Sequence, residues 1–169
     1  MQDVVFSKYT IDFTRVAVEY CMLLEKTKKT EKKIFINNMT KVLPLLYIKA
    51  SIIPKIKEYY KSNLELVMSN ALYLQIESSI SDLLGNDNLY LEVFKQETKY
   101  SSSLNTAKVS KDLANIYQNL GNFISVFKNG DKKIMSDSLM LCIENFKKCW
   151  GQHLVNALKA MHFVKYKIE

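Results

Sequence analysis

The chain has 169 residues, of which 48% are hydrophobic and 24% charged, and it carries a net charge of +7 with a pI near 9.2. That length suffices for one buried core, so residues 1–169 are expected to form a single helical domain. Four glycines and two prolines are too few turn residues for a many-stranded sheet. No apolar run approaches the roughly 20 residues of a membrane span, and Met1-Gln2-Asp3-Val4 lacks the basic start and apolar core of a secretory signal, so a cytoplasmic protein is expected.

Helical periodicity organises most of the chain. A first helix is expected from Phe6 to Lys26, with Phe6, Tyr9, Phe13, Val16, Ala17, Tyr20 and Leu24 on one face. Thr30-Glu31 reads as the next helix start. Ile34, Phe35, Met39, Leu43, Leu46 and Tyr47 carry the second stripe. Pro44 either kinks that helix or lies in the first turn of a new one capped by Thr40. Pro54 and Lys55 to Asn63 form a connection. A third helix is expected near Asn70 to Leu84, closed by Gly85-Asn86-Asp87-Asn88, an αL stop. Residues 85–105 are weakly patterned: Tyr90, Leu91, Val93 and Phe94 suggest a short helical turn, and Ser101-Ser102-Ser103 a mobile point. The fourth helix, with Ser110 as its expected cap, repeats Leu113, Ile116, Tyr117, Leu120, Phe123, Ile124 and Phe127. Asn129-Gly130-Asp131 ends it.

From Asp131 to Lys167 only Gly151 weakens a long fifth helix. At about 100° per residue, Met135, Leu139, Cys142, Phe146, Trp150, His153, Ala157, Ala160 and Val164 share one face. Short turns between long helices make neighbours antiparallel. The expected fold is all-α, a single five- or six-helix bundle with a long central C-terminal helix.

Four blocks in this order resemble a known family. They are Leu43-Pro44-Leu45-Leu46-Tyr47-Ile48-Lys49-Ala50-Ser51, Tyr90-Leu91-Glu92-Val93-Phe94, Asp112 through Leu120, and Trp150-Gly151-Gln152-His153 through His162. The chain is similar over nearly its whole length to the bacterial domain-of-unknown-function family numbered five thousand and sixty-three. The resemblance implies a bacterial, Bacteroidetes-type, cytoplasmic helical protein and brings no activity with it. The family pattern leads one to expect acidic residues where this chain has Asn115 and Asn119, which weakens cation-dependent chemistry along that stripe.

His153 is the sharpest chemical oddity, an imidazole on an apolar stripe beside Trp150 and Phe146. It reads most simply as a core histidine pointing inward between those rings, its nitrogens bonded to a neighbouring helix; the alternative is a general base or ligand contact. Asp112, Asn115, Asn119 and Asn122 flank the apolar face of the fourth helix and could hydrogen-bond a facing helix or a polar ligand. Asp12 and Glu19 bracket Arg15 at ion-pairing spacing, with Glu19 the better site candidate. Tyr47, Tyr59, Tyr60, Tyr73, Tyr90 and Tyr117 are core aromatics or a cavity lining. Gly151 offers close approach to another helix backbone, or a kink.

Cys142 and Cys149 lie about 10 Å apart along one helix face, beyond disulfide reach, and all three cysteines are expected as small core residues. No Cys-x-x-Cys, His-x-x-x-His or Glu-x-x-His spacing occurs, so neither metal nor cofactor is expected. Lysines cluster at 26–33, 55–61 and 159–167, but Arg15 is the single arginine, which disfavours nucleic acid.

The candidate binding residues are therefore His153, Trp150, Tyr117, Asp112, Asn115, Asn119, Glu19 and Tyr47. No catalytic residue is assigned. The leading function is a non-catalytic protein-interaction module with an unknown protein partner or a second copy of itself, and no membrane. The alternative is a small-molecule or enzymatic site around His153 and the Asp112/Asn115/Asn119 stripe. A closed pocket reaching His153 and Trp150 favours the second; an apolar surface groove favours the first.

Overall fold

The computed structural model describes residues 4–94, 103–128 and 130–167. Ser7 starts the first helix, its Oγ accepting a hydrogen bond from the Thr10 amide, and α1 runs Lys8–Glu25. Phe13, Val16, Ala17, Tyr20, Cys21 and Leu24 face inward, whereas Phe6 and Tyr9 are exposed, so the buried stripe begins one turn later than expected. The second helix, α2, is continuous over Lys32–Ser51 with Pro44 inside it, so no new helix starts at Thr40. The Thr40 hydroxyl bonds back to the Ile36 carbonyl at 3.0 Å rather than capping.

Ser69 caps α3, which spans Asn70–Leu84 as its periodicity predicts. Gly85 follows at φ +58° and ψ −127°, a positive-φ conformation that glycine adopts without a Cβ penalty, not the αL stop expected there. Two strands come next, β1 (Leu89–Phe94) and β2 (Ser103–Lys108), paired antiparallel with Tyr90 opposite Ala107 and Glu92 opposite Asn105. The helical turn expected at Tyr90–Phe94 is thus an extended strand. Its alternation is inverted: Tyr90 and Glu92 turn inward to polar partners while Leu89 and Leu91 face solvent. That inversion hides the strand from an apolar-in criterion. Of the expected mobile serines, Ser101 and Ser102 lie outside the described residues, and Ser103 opens β2.

The fourth helix, α4 (Val109–Phe127), packs on α1, α3 and the two C-terminal helices. Ser110 lies within it rather than at its cap. Asn88 from the turn before β1 accepts the Ser110 amide at 2.8 Å and donates to the Ser110 and Ser81 hydroxyls. Asp131 caps α5 (Lys132–Asn145), accepting from the amides of Lys133 and Ile134.

The C-terminal run continues through a π turn, Phe146–Trp150, into α6 (Gly151–Tyr166). The Gly151 amide reaches back five residues to the Phe146 carbonyl, so the turn absorbs one extra residue. A Cβ on Gly151 would stand 2.5 Å from that carbonyl oxygen and 2.9 Å from the Phe146 ring. The glycine makes room for its own helix, not for another helix backbone. The extra residue also rotates Cys149 outward. It is exposed, contrary to its expected place in the core, while Cys21 and Cys142 are buried with thiols pushed up by burial. Trp150 takes the inward position, fully buried, stacked on Phe13 at 6.5 Å and tilted against Phe146 at 4.7 Å.

Residues 53–69 cross the molecule without helix or strand and are held by side chains. The buried Asp137 carboxylate accepts from the amides of Tyr60 (2.8 Å) and Ser62 (2.7 Å), with Lys61 between them at φ +59°. Further on, the Met68 amide donates to Asn122 Oδ1 at 2.9 Å, and the Met68 side chain sits against Gly121.

Burial pushes the Asp137 carboxyl up, but the Ser62 and Tyr60 amides outweigh it and hold it below its usual value. Its contribution to stability is therefore complete above the pKa of an unfolded aspartate, about 3.9, and is lost as pH falls through the lower folded value. Asp137→Asn is expected to cost about 1.5–3 kcal/mol at neutral pH in urea unfolding. It should also make the loss of stability below about pH 4 shallower than in the parent protein; parallel acid limbs would refute the clamp.

Candidate functional site

The first turn of α4 carries Asp112 inward, where the positive end of the helix favours its charge. From α6, His153 places Nδ1 2.7 Å from Asp112 Oδ1; from β1, the Tyr90 hydroxyl donates to Asp112 Oδ2 at 2.5 Å. A carboxylate only accepts, so the imidazole proton sits on Nδ1. Burial, then the Asp112 hydrogen bond, pushes the Tyr90 phenol far up, so it stays protonated and donates. One turn beyond His153, Asn156 donates to Glu92 Oε1 at 2.8 Å. Alternate residues of β1 therefore reach two helices, Tyr90 to Asp112 of α4 and Glu92 to Asn156 of α6.

His153 stands at the rim of the core, not between the rings of Trp150 and Phe146. Its side chain is 31% exposed, against 8% for Asp112. Nε2 makes no hydrogen bond with any described residue. Trp150 is at the centre instead, its indole N–H donating to the Cys142 carbonyl at 2.9 Å.

The rest of the α4 stripe is shared among several elements. Asn115 donates to the Lys111 carbonyl and stands 3.5 Å from the Tyr73 hydroxyl of α3. Asn119 donates to the Asn115 carbonyl and accepts from Asn145 of α5 at 3.1 Å. Asn122 holds residue 68. Tyr117 faces α1 and donates to Glu25 at 2.9 Å, its phenol pushed up by burial and then by that carboxylate. Tyr47 is exposed on α2 with its ring edge-on to Phe146 at 5.2 Å. Glu19 lines a small cavity of about 210 Å³ with Asn38 and Lys41. Asp12 pairs with Lys49 of α2 at 2.9 Å, which with the neighbouring cations holds its carboxyl low.

Of the eight candidates, Asp112 and His153 meet directly and Asn115 and Asn119 are linked in one chain; Glu19, Tyr47 and Tyr117 lie elsewhere. Sequence reasoning missed the roles of Tyr90, Glu92 and Asn156. The period-two alternation of Tyr90 and Glu92 was the available signal. Among the described residues no group of three or more His, Cys, Asp or Glu side chains could hold a metal ion.

Two larger clefts are also present. One, of about 290 Å³, lies under residues 64–68, with Gln118, Asn119, Asn122, Ser138 and Asn145 around Phe123 and Cys142. The other, of about 910 Å³, lies between the start of α2 and the end of α6, lined by Lys32, Lys33, Ile34, Ile36, Asn37, Asp87 and residues 164–167. Neither lining includes His153 or Trp150.

Because His153 is a main partner of a nearly buried carboxylate, His153→Ala is expected to cost about 1–3 kcal/mol. A cycle with Asp112→Asn should give a coupling of about 0.5–3 kcal/mol in urea unfolding. Additive single effects would mean that the two side chains act independently.

The sequence and the fold both have relatives. No curated protein matches the chain. A crystal structure of protein BF1032 from Bacteroides fragilis, a structural genomics target, superposes with a TM-score of 0.89 at 36% sequence identity, covering 99% of this chain and 98% of that one. The family model described as "Domain of unknown function (DUF5063)" matches residues 4–167, and the chain belongs to that family.

Proposed function

We propose that this protein is a non-catalytic interaction module whose groove between α2 and α6 holds an acidic, apolar segment of a partner protein. One observation carries the reading. Two lysine clusters far apart in sequence, Lys32–Lys33 and Lys165–Lys167, converge on one groove that also exposes Ile34 and Tyr166. Exposed apolar side chains supply anchors, and a basic rim steers carboxylates toward them. Asp87 already draws Lys32 (2.5 Å) and Lys167 (2.9 Å), and both cations hold its carboxyl below the usual range. This is the contact that a partner carboxylate would extend. Lysine without arginine suits point-charge attraction to carboxylates better than bidentate reading of bases. A second copy docking through this same groove would meet like charge.

A labelled synthetic peptide of alternating glutamate with leucine and phenylalanine tests this by fluorescence anisotropy. Saturable binding that weakens with salt is expected, together with at least about tenfold loss in Lys33→Glu and Ile34→Asp. The glutamine version of the peptide should bind poorly. Equal binding of that neutral peptide, indifference to both variants, or preference for a single-stranded oligonucleotide would overturn the reading.

A second reading is favoured by the Asp112–His153 geometry. A buried carboxylate orients Nδ1–H and leaves Nε2 open at a partly exposed ring, the arrangement of a general base. It predicts p-nitrophenyl acetate hydrolysis well above that of free imidazole, lost in His153→Gln and reduced in Asp112→Asn. Hydrolysis equal to that of free imidazole excludes it.

A further inference from the structure

We infer that the cleft between α4 and α5, roofed by residues 64–68, is a binding site for a small uncharged nitrogen heterocycle or carboxamide of one or two rings. This site is separate from the lysine groove and from His153. Its wall carries four carboxamides, Gln118, Asn119, Asn122 and Asn145, with the Ser138 hydroxyl and, among the described residues, no charged side chain. Its floor is apolar, from Phe123, Val126 and Cys142. A charged ligand would lose its hydration there without gaining a counter-ion. A neutral ligand with donors and acceptors along one edge matches carboxamides, which offer both on one planar group and pair with a heterocycle edge through two bonds. The volume of about 290 Å³ stands at the lower limit of small-molecule sites, which confines the ligand to one or two rings.

The walls are held in place while part of the hydrogen-bonding capacity stays open. Asn145 donates to Asn119 at 3.1 Å, which ties α5 to α4 across the site. The roof is pinned at one end by Asp137 on residues 60 and 62, and at the other by Asn122 on the Met68 amide. A side chain at position 121 would collide with Met68, so Gly121 lets the roof sit close to α4. The Gln118 carboxamide and Asn122 Nδ2 make no hydrogen bond with any described residue.

The test is titration of the isotope-labelled protein with nicotinamide, adenine and uracil, read from the side-chain amide resonances of Gln118, Asn119, Asn122 and Asn145. At least one probe is expected to saturate those resonances with a Kd below about 1 mM. Gln118→Leu should weaken that probe at least about fivefold with an unchanged melting temperature, because Gln118 holds no other element. Asn145→Leu is the second variant, expected to weaken the same probe. Failure of all three probes to shift these resonances at 5 mM, or binding unaffected by both variants, overturns the assignment. The lysine groove is untouched by these variants, so its peptide binding stands or falls separately.

Discussion

Trp150 requires a buried berth and a hydrogen-bond acceptor together, and the π turn at Phe146–Trp150 supplies both. The turn brings the indole N–H to the Cys142 carbonyl and the ring onto Phe13 and Phe146. An aromatic of that size contributes several kcal/mol when fully buried. The same extra residue sets the rotation of α6 about its axis. His153 then reaches Asp112, Asn156 reaches Glu92, and Lys165 reaches Asn37 and Thr40 of α2. Gly151 is the local condition for it, because a side chain there would strike the carbonyl that closes the wide turn.

Buried carboxylates organise what the helices leave open. Asp112 joins α4, α6 and the hairpin; Asp137 joins α5 to the irregular segment 53–69. Each is used on both oxygens. A buried charge is tolerated only when it is paired and hydrogen-bonded, so these contacts position the segments they touch. The chemistry left over is modest: one imidazole nitrogen at the rim, and a set of carboxamides along a cleft.

The surface divides its roles accordingly. Apolar side chains with lysines around them occupy the groove between α2 and α6, where Ile34 is exposed and the exposed Tyr166 ring lies against His162 and Lys165. Carboxamides without charge line the cleft under residues 64–68. As binding sites proposed above, a cationic groove and a neutral cleft would select different partners, since one offers long-range attraction and the other short-range hydrogen-bond matching.

Most of the helical framework was legible in the sequence. The helix near Asn70–Leu84 was legible because Gly85-Asn86-Asp87-Asn88 is a strong local stop signal, and the α4 stripe follows from its 3.6-residue period. An all-α bundle with a long C-terminal helical run follows from composition and spacing alone. Tertiary structure decided the rest. Asp112 and His153 lie 41 residues apart; the sequence places them together only as members of one candidate site, and their direct hydrogen bond is a result of packing α6 on α4. The hairpin escaped because its polar side faces inward, so its burial signal is reversed. Cys149 escaped because one added residue in a helix is an outcome of packing Trp150, not a local preference. The lysines of the first turn and of the last helix meet only once α2 and α6 are side by side. Local propensities act over a few residues and can be read directly; long-range contacts depend on which surfaces the assembled core has already buried.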